Sequence, residues 1–178
     1  PPFAQDVEEA KRLLGGSKYP DPGTVELVYD SGLTADHLVA QIVQSNLAEI
    51  GIDVELTGLE TGAFLDRAFG VDADMVLWSY GAISPDVIDP VGWILGTSWL
   101  FTGWETDTLL DQWFAYTATD SAEEKQAIIT EIQDEAIENA QAISLTELQV
   151  LHAAREPVRG FASPPWGVYY YDPIWLAS

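Results

Sequence analysis

Carboxylates are the most plentiful chemistry-bearing groups in this sequence, and two pairs of them bracket one hydrophobic segment. Asp72 and Asp74 precede Met75-Val76-Leu77-Trp78, while Asp86 and Asp89 follow it between Pro85 and Pro90. Paired acids can hold calcium when backbone carbonyls join them, or share acid and base roles. Neither pair has EF-hand spacing, and loop aspartates beside prolines are commonly turn formers. His37 falls in a helical pattern and His152 in a strand pattern, with no HExxH spacing between them, so both read as structural or surface residues. No serine stands in a GxSxG elbow, and "GLETGAF" lacks the Lys-Ser/Thr pair and the GxGxxG of phosphate-binding loops. The absence of cysteine removes thiol nucleophiles, zinc thiolates and disulfides together. This inventory argues against an enzyme, and neither a metal nor a cofactor is expected.

Aromatic side chains offer a different chemistry, that of binding. The chain has 7 Trp, 7 Tyr and 6 Phe, more than a core of this size obviously needs. Trp78 continues a hydrophobic strand, and Trp113 and Phe114 lie on an amphipathic helix, so these three are expected in the core. Tyr80 stands where the strand runs out. A broad ring there can stack on an organic ligand while its hydroxyl forms a hydrogen bond.

The elements that would position these groups follow from periodicity and punctuation. "PPFAQDVEEAKRLLGG" reads as a short helix stopped by Gly15 and Gly16. "TVELVYD" (residues 24–30) is a strand, and "TADHLVAQIVQSNLAEIG" is a helix capped by Thr34 and ended by Gly51. Leu38, Val39, Ile42, Val43, Asn46, Leu47 and Ile50 recur on that helix at helical spacing, which predicts one buried face. "IDVELTG" (52–58), "TGAFLDRAFG" (61–70) and "DMVLWSY" (74–80) complete a β-α-β-α-β order, which favours a parallel sheet with right-handed crossovers. In such sheets ligands sit beyond the carboxyl ends of the strands, so the third strand delivers Tyr80 to the ligand edge and leaves Asp72 and Asp74 at the other. Further on, "DPVGWILG" reads as a short apolar helix and residues 105–119 as a longer one. Ser121 and Glu124 form a capping box before a helix whose buried side holds Ala127, Ile128, Ile132, Ala136 and Ile137. "AISLTELQVLHAA" reads as a strand, and Pro157 and Gly160 bend the chain toward an aromatic tail. With no repeat or long linker, residues 1–178 are expected to form a single α/β domain.

Charge narrows the partners. Against 29 Asp and Glu the chain has 7 Lys and Arg, a formal charge of -22, which makes nucleic acid and anionic membrane improbable direct partners. An acidic surface held soluble in a salty or extracellular medium is the plainer account, although the field also suits a cationic ligand. No apolar run reaches the ~20 residues of a membrane helix. If the protein is exported, its signal is expected outside these residues.

The order of these segments resembles the C-terminal lobe of the family-5 extracellular solute-binding proteins, the dipeptide- and oligopeptide-binding components of ABC importers. "DVEEAKRLLGGSKYPDPGTVELVYDSG" is similar to the family's entry segment, and "LVAQIVQSNLAEIGIDVEL" resembles its helix-strand unit. "TGAFLDRAFGVDADMVLWSYGA" resembles the next helix and strand. "AEEKQAIITEIQDEAIENAQAISL" and "VRGFASPPWGVYYYDPIWL" resemble the closing elements. The resemblance implies one lobe of a type II periplasmic-binding-protein-like clamshell, a mainly parallel sheet flanked by helices. It also implies an N-terminal lobe absent from these residues, toward which the 156–178 tail would return.

Carried over position by position, the resemblance implies ligand contacts at Ser79, Tyr80, Gly81, Ala82 and Ile83, with Tyr80 where a tryptophan is usual. Thr61 stands where the family often has a ligand-facing aromatic, and Phe69 lies near another contact position. Peptide binders of the family often have an aspartate, here replaced by Ile83, to pair with the peptide ammonium; Asp86, three residues on, is the nearest substitute. The implied function is capture of a peptide or peptide-like solute for a membrane permease, by a monomer outside the cytoplasm anchored as a lipoprotein. A non-peptide solute such as an oligosaccharide, or a structural or sensor domain without a ligand, are the alternatives that Ile83 keeps open.

Overall fold

The computed structural model describes residues 4–21, 23–79, 81, 88, 107–140, 142–145, 151–162 and 171–177. The residues divide into two compact units, 1–79 and 80–178.

In the first unit, helix α1 (Val7–Gly15) opens at Asp6, whose carboxylate accepts from the Glu9 N–H at 2.9 Å. Strand β1 (Thr24–Asp30), helix α2 (Thr34–Ala48), strand β2 (Asp53–Leu59), helix α3 (Thr61–Phe69) and strand β3 (Met75–Val76) follow in the expected alternation. The three strands form a parallel sheet in the order β2-β1-β3. β1 pairs with β2 over seven residues, from Thr24 opposite Asp53 to Asp30 opposite Leu59. β3 is shorter than the apolar run suggests, but the Leu77 N–H extends its ladder by donating to the Val28 carbonyl at 2.9 Å.

This order has a consequence for the faces of the sheet. The crossover through α2 leads from β1 to one side, and the crossover through α3 leads past β1 to the other. Right-handed connections of opposite direction put the two helices on opposite faces. Side-chain alternation agrees. Val25, Leu27 and Tyr29 of β1 pack with Val54, Leu56, Ala40, Val43 and Leu47 on the α2 face. On the other face, Arg67 of α3 meets Glu26 and Thr61 meets Asp30. Val28 between them is fully buried.

Two details of α2 differ from expectation. Thr34 is its first helical residue rather than its cap; Leu33 is the N-cap, with no side-chain hydrogen bond. The buried stripe is Asp36, Ala40, Val43 and Leu47, while Leu38 and Ile42 are 55% and 59% exposed. Apolar residues cover more of this helix than one sheet face can bury. Gly51 then takes φ 86° in the turn to β2, a conformation that costs glycine least. On β2, Gly58 lies beneath the Tyr29 ring, where a Cβ would come within 2.7 Å of the Tyr29 hydroxyl oxygen. That hydroxyl is 2.7 Å from Nδ1 of His37, which gives the histidine its expected structural role.

In the second unit, helices α4 (Asp107–Ala118) and α5 (Ala122–Glu138) pack together through Leu109, Tyr116, Ile129, Ile132 and Ala136. Phe114, expected inside, is largely exposed, as is Ile137. Ser121 caps α5 by accepting from the Glu124 N–H at 3.3 Å. The return half of the box runs through Thr119, which accepts from the Ser121 N–H at 3.1 Å and donates to the Glu124 carboxylate. Residues 142–145 and 151–155 are not strand, contrary to the reading of that segment; the expected apolar helix near 90–97 lies outside the described residues. Strand β4 (Val158–Arg159) pairs antiparallel with β5 (Trp175–Leu176). Gly160, at φ 75°, lets the Pro173 carbonyl pass where any side chain would collide with it.

Candidate functional site

An open parallel sheet binds ligands where its strand order reverses, beyond the carboxyl ends of the strands. Here that point lies between β1 and β3, and the residues around it are Asp30 at the end of β1, the first turns of α2 and α3, and the segment after β3.

Asp30 organises this edge. Its Oδ1 accepts from the Gly32 N–H at 2.8 Å, and its Oδ2 accepts from the Thr61 hydroxyl at 2.8 Å. Its own carbonyl accepts from the Leu33 N–H at 3.2 Å, and the Leu33 carbonyl accepts from the Asp36 N–H at 3.1 Å. The chain thereby reverses from β1 into α2 within three residues and sets Asp36 in the first turn of the helix, near Asp30. Ser31 ties the same edge to β2, with its N–H and its hydroxyl both donating to the Leu59 carbonyl at 2.8 and 2.9 Å.

Both acids are buried. The Asp36 carboxylate makes no hydrogen bond or ion pair with a described residue, and neither oxygen is a fully buried atom without a partner, so they reach solvent. Burial, and then the charge of Asp30, hold its carboxyl above the usual aspartate range.

Of the sequence-derived site residues, Thr61 and Ser79 stand at this edge. Thr61 begins α3 with its hydroxyl committed to Asp30, and Ser79 follows β3 and is exposed. Gly81 is exposed as well. Phe69 closes α3 at the end opposite Thr61, about 12 Å along the helix axis at the usual rise, so these two are not brought together. Its ring meets Trp78 edge-on at 6.2 Å, while Phe64 stacks on Trp78 at 5.1 Å, consistent with the packing role expected of the tryptophan. Tyr80, Ala82, Ile83, Asp86 and Asp89 lie outside the described residues.

At the amino ends of the strands, Asp72 and Asp74 belong to a clamp. Arg67 bonds the Glu26 carboxylate at 2.5 Å and the Asp72 carbonyl at 2.6 Å, and Asp74 accepts from the Glu26 N–H at 2.8 Å. These groups line an open cleft of about 320 Å³ on the edge away from the switch point. No group of three His, Cys, Asp or Glu side chains able to hold a metal ion occurs among the described residues. No helix among them is long and apolar enough to cross a membrane.

Asp30 and Asp36, which the structure places at this edge, were not singled out in the sequence. The available signal was an acid closing a hydrophobic strand, "LVYD", with a second acid in the first turn of the following helix.

The chain has the α/β fold of the type II periplasmic binding proteins, with a parallel sheet flanked by helices. Residues 1–102 match the family described as bacterial extracellular solute-binding proteins, family 5 Middle, and the chain belongs to that family. The fold is similar to that of DppA from Helicobacter pylori, an ABC transporter-associated periplasmic binding protein solved with the peptide STSA. That likeness covers 100% of this chain and 36% of the other, with 21% identity and a TM-score of 0.78. A putative peptide binding protein AppA from Clostridium difficile aligns over 97% of this chain and 37% of its own, at 22% identity and TM-score 0.76. AgaA from A. tumefaciens R10, solved with agropinic acid, aligns over 78% and 29%, at 24% identity and TM-score 0.70. At these identities the likeness concerns the fold. The chain spans about a third of the length of these structures. A search of curated proteins gives no match.

Proposed function

We propose that this chain is part of the solute-binding component of an ABC importer and that the carboxyl edge of its sheet is one wall of the ligand cleft. The observation that carries the reading is the family match over residues 1–102, which spans the whole sheet and the segment after β3. The opposite wall would come from an N-terminal lobe, with all 178 residues belonging to the C-terminal lobe. The solute is a peptide or peptide-like molecule held between the lobes, and closure is the signal read by the permease. No bond is made or broken. The protein acts outside the cytoplasm, as a monomer anchored by a lipid.

Within the cleft, Tyr80 stacks on the solute while the backbone of Ser79, Gly81, Ala82 and Ile83 bonds its main chain. Thr61, where the family often has an aromatic, leaves extra room, and Phe69 is the most remote member of the set. A non-peptide solute is the second reading, favoured by Ile83 in place of the usual aspartate and by the agropinic acid bound to AgaA.

The test is a thermal-shift screen of the complete natural chain against free-amine peptides, their N-acetylated forms and a panel of oligosaccharides. A true ligand at a hundred times its Kd adds about 2.7 kcal/mol to stability. Stabilisation by peptides supports the first reading, and stabilisation by sugars alone the second. A flat response to every solute sinks both.

A further inference from the structure

The third strand leads into the proposed solute-contact segment, yet little in its own sequence fixes where it stops. β3 pairs with β1 only at Met75 and Val76, opposite Leu27 and Val28, with one further bond from the Leu77 N–H. Among the described residues no strand pairs with its other edge. Met75 and Leu77 pack against the core on the α2 face, while Trp78 stacks on Phe64 of α3. A strand that is apolar on both faces has no alternation to specify its register, so a slip along β1 costs it little side-chain burial. The register has to be set from outside the apolar run.

The amino end of β3 supplies that constraint. The Asp74 carboxylate accepts from the Glu26 N–H of β1 at 2.8 Å, just before the ladder begins. Arg67 of α3 grips the preceding turn on both sides of Asp72: its carbonyl accepts from the Asp72 N–H at 3.2 Å, and its Nε donates to the Asp72 carbonyl at 2.6 Å. The other arm of the guanidinium donates to the Glu26 carboxylate. Helix, turn and central strand are thereby tied at one point. Inside the tie Val71 takes φ 50°, a conformation that a β-branched residue rarely adopts. Its side chain is exposed, so packing does not hold it there. The turn is bent by its two bonds to Arg67 rather than by its own preference.

We propose that Arg67 is a positioning residue for the solute cleft: with Asp74 it locks the register of β3 on β1 and so fixes Ser79, and the contacts that follow it, at the carboxyl edge. This rests on the solute-binding reading and deepens it, because the lock lies at the other end of the strand, about 16 Å from Ser79 at the usual rise. A slip of two residues would withdraw or extend the contact segment by ~7 Å. Lysine is no substitute for Arg67. A single ammonium can answer the charge of Glu26 but lacks the fork that holds Asp72 at the same time.

The experiment is amide hydrogen exchange, read by mass spectrometry on the complete natural chain, for wild type, Arg67→Lys, Asp74→Ala and Val71→Gly. Calorimetry follows, with tri-alanine, N-acetyl-tri-alanine and maltotriose as probes. In Arg67→Lys and Asp74→Ala, exchange over residues 74–79 is expected to rise about tenfold or more while β2 and α2 keep their protection. Val71→Gly leaves residues 74–79 protected and raises the melting temperature, and that gain disappears in the Arg67→Lys background, where the released turn has no strain left to lose. Any probe that binds wild type should bind Arg67→Lys about tenfold more weakly, since fewer molecules hold the strand in register. If Arg67→Lys fails to fold, Asp74→Ala, which leaves the guanidinium on Glu26, is the deciding variant. Unchanged exchange over 74–79, or a rise spread evenly over the sheet and its helices, overturns the lock while the solute-binding reading stands. Local loosening with unchanged affinity overturns the positioning role. If no probe binds wild type, the solute-binding reading falls and the positioning role with it, whereas exchange still decides the lock.

Discussion

The hydroxyl of Thr61, the first residue of α3, donates across 2.8 Å to Asp30, the last residue of β1, and joins two elements separated by 31 positions in sequence. The bond spans the edge where the strand order reverses. Thr61→Val keeps the shape and removes the donor, leaving a buried carboxylate oxygen short of a partner. The expected loss is about 1–3 kcal/mol, read as a lower urea midpoint with unchanged slope. Thr61→Ser, which keeps the hydroxyl, should recover most of it.

Asp36 should destabilise the protein as pH rises. Burial first, and Asp30 second, raise its folded-state pKa above that of the unfolded chain. The folded state therefore holds the proton more tightly, and that stability, full below about pH 4, is lost as pH climbs through the raised value. Asp36→Asn should flatten this part of the curve and raise the melting temperature at pH 7. An unchanged profile would show that the carboxylate is solvated.

Glu26 contributes with the opposite sign. The Thr57 hydroxyl first, and then Arg67, hold its carboxyl below the usual range against the effect of burial. Its stabilisation is present above about pH 4.3 and is lost as pH falls through the lowered value. Glu26→Gln should therefore reduce stability at neutral pH and lessen the sensitivity to acid, measured by urea unfolding between pH 3 and 7.

Gly58 is required by the ring above it. A methyl group there would sit 2.7 Å from the Tyr29 hydroxyl and 2.8 Å from Cζ, forcing apart the contact with His37. Gly58→Ala should cost about 1–3 kcal/mol by overpacking. The His37 imidazole signal in NMR should move with it, whereas Gly62→Ala, in open space on α3, should leave that signal in place.

Alternation and punctuation made β1, α2, β2 and α3 legible within a residue or two, because each carries a strong period bounded by glycine or a polar turn. The buried face of α2 was less so. Leu38 and Ile42 fit the helical period as well as Ala40 and Val43 do, and only packing against Leu27 and Leu56 distinguishes them. Residues 142–145 and 151–155 belong to a segment with strand-forming composition, but propensity alone does not make them strand. At the site, Thr61 and Ser79 were reached through the family resemblance. Asp30 and Asp36 were not, since an acid after a strand ordinarily means a turn, and its burial depends on how α2 folds back.

The parallel pairing of β1 also bears on the order in which the chain can assemble. Residues 24–59 contain a complete β-α-β unit, but the second edge of β1 stays open until Leu27 and Val28 meet Met75 and Val76, nearly fifty residues later in sequence. In a nascent chain emerging at about 5–20 residues per second, that apolar edge is exposed for seconds, and only a two-residue strand closes it. The hazard for this protein is thus one of timing during synthesis, and a substitution that weakens β3 should appear first as lost soluble yield rather than as a lower melting temperature.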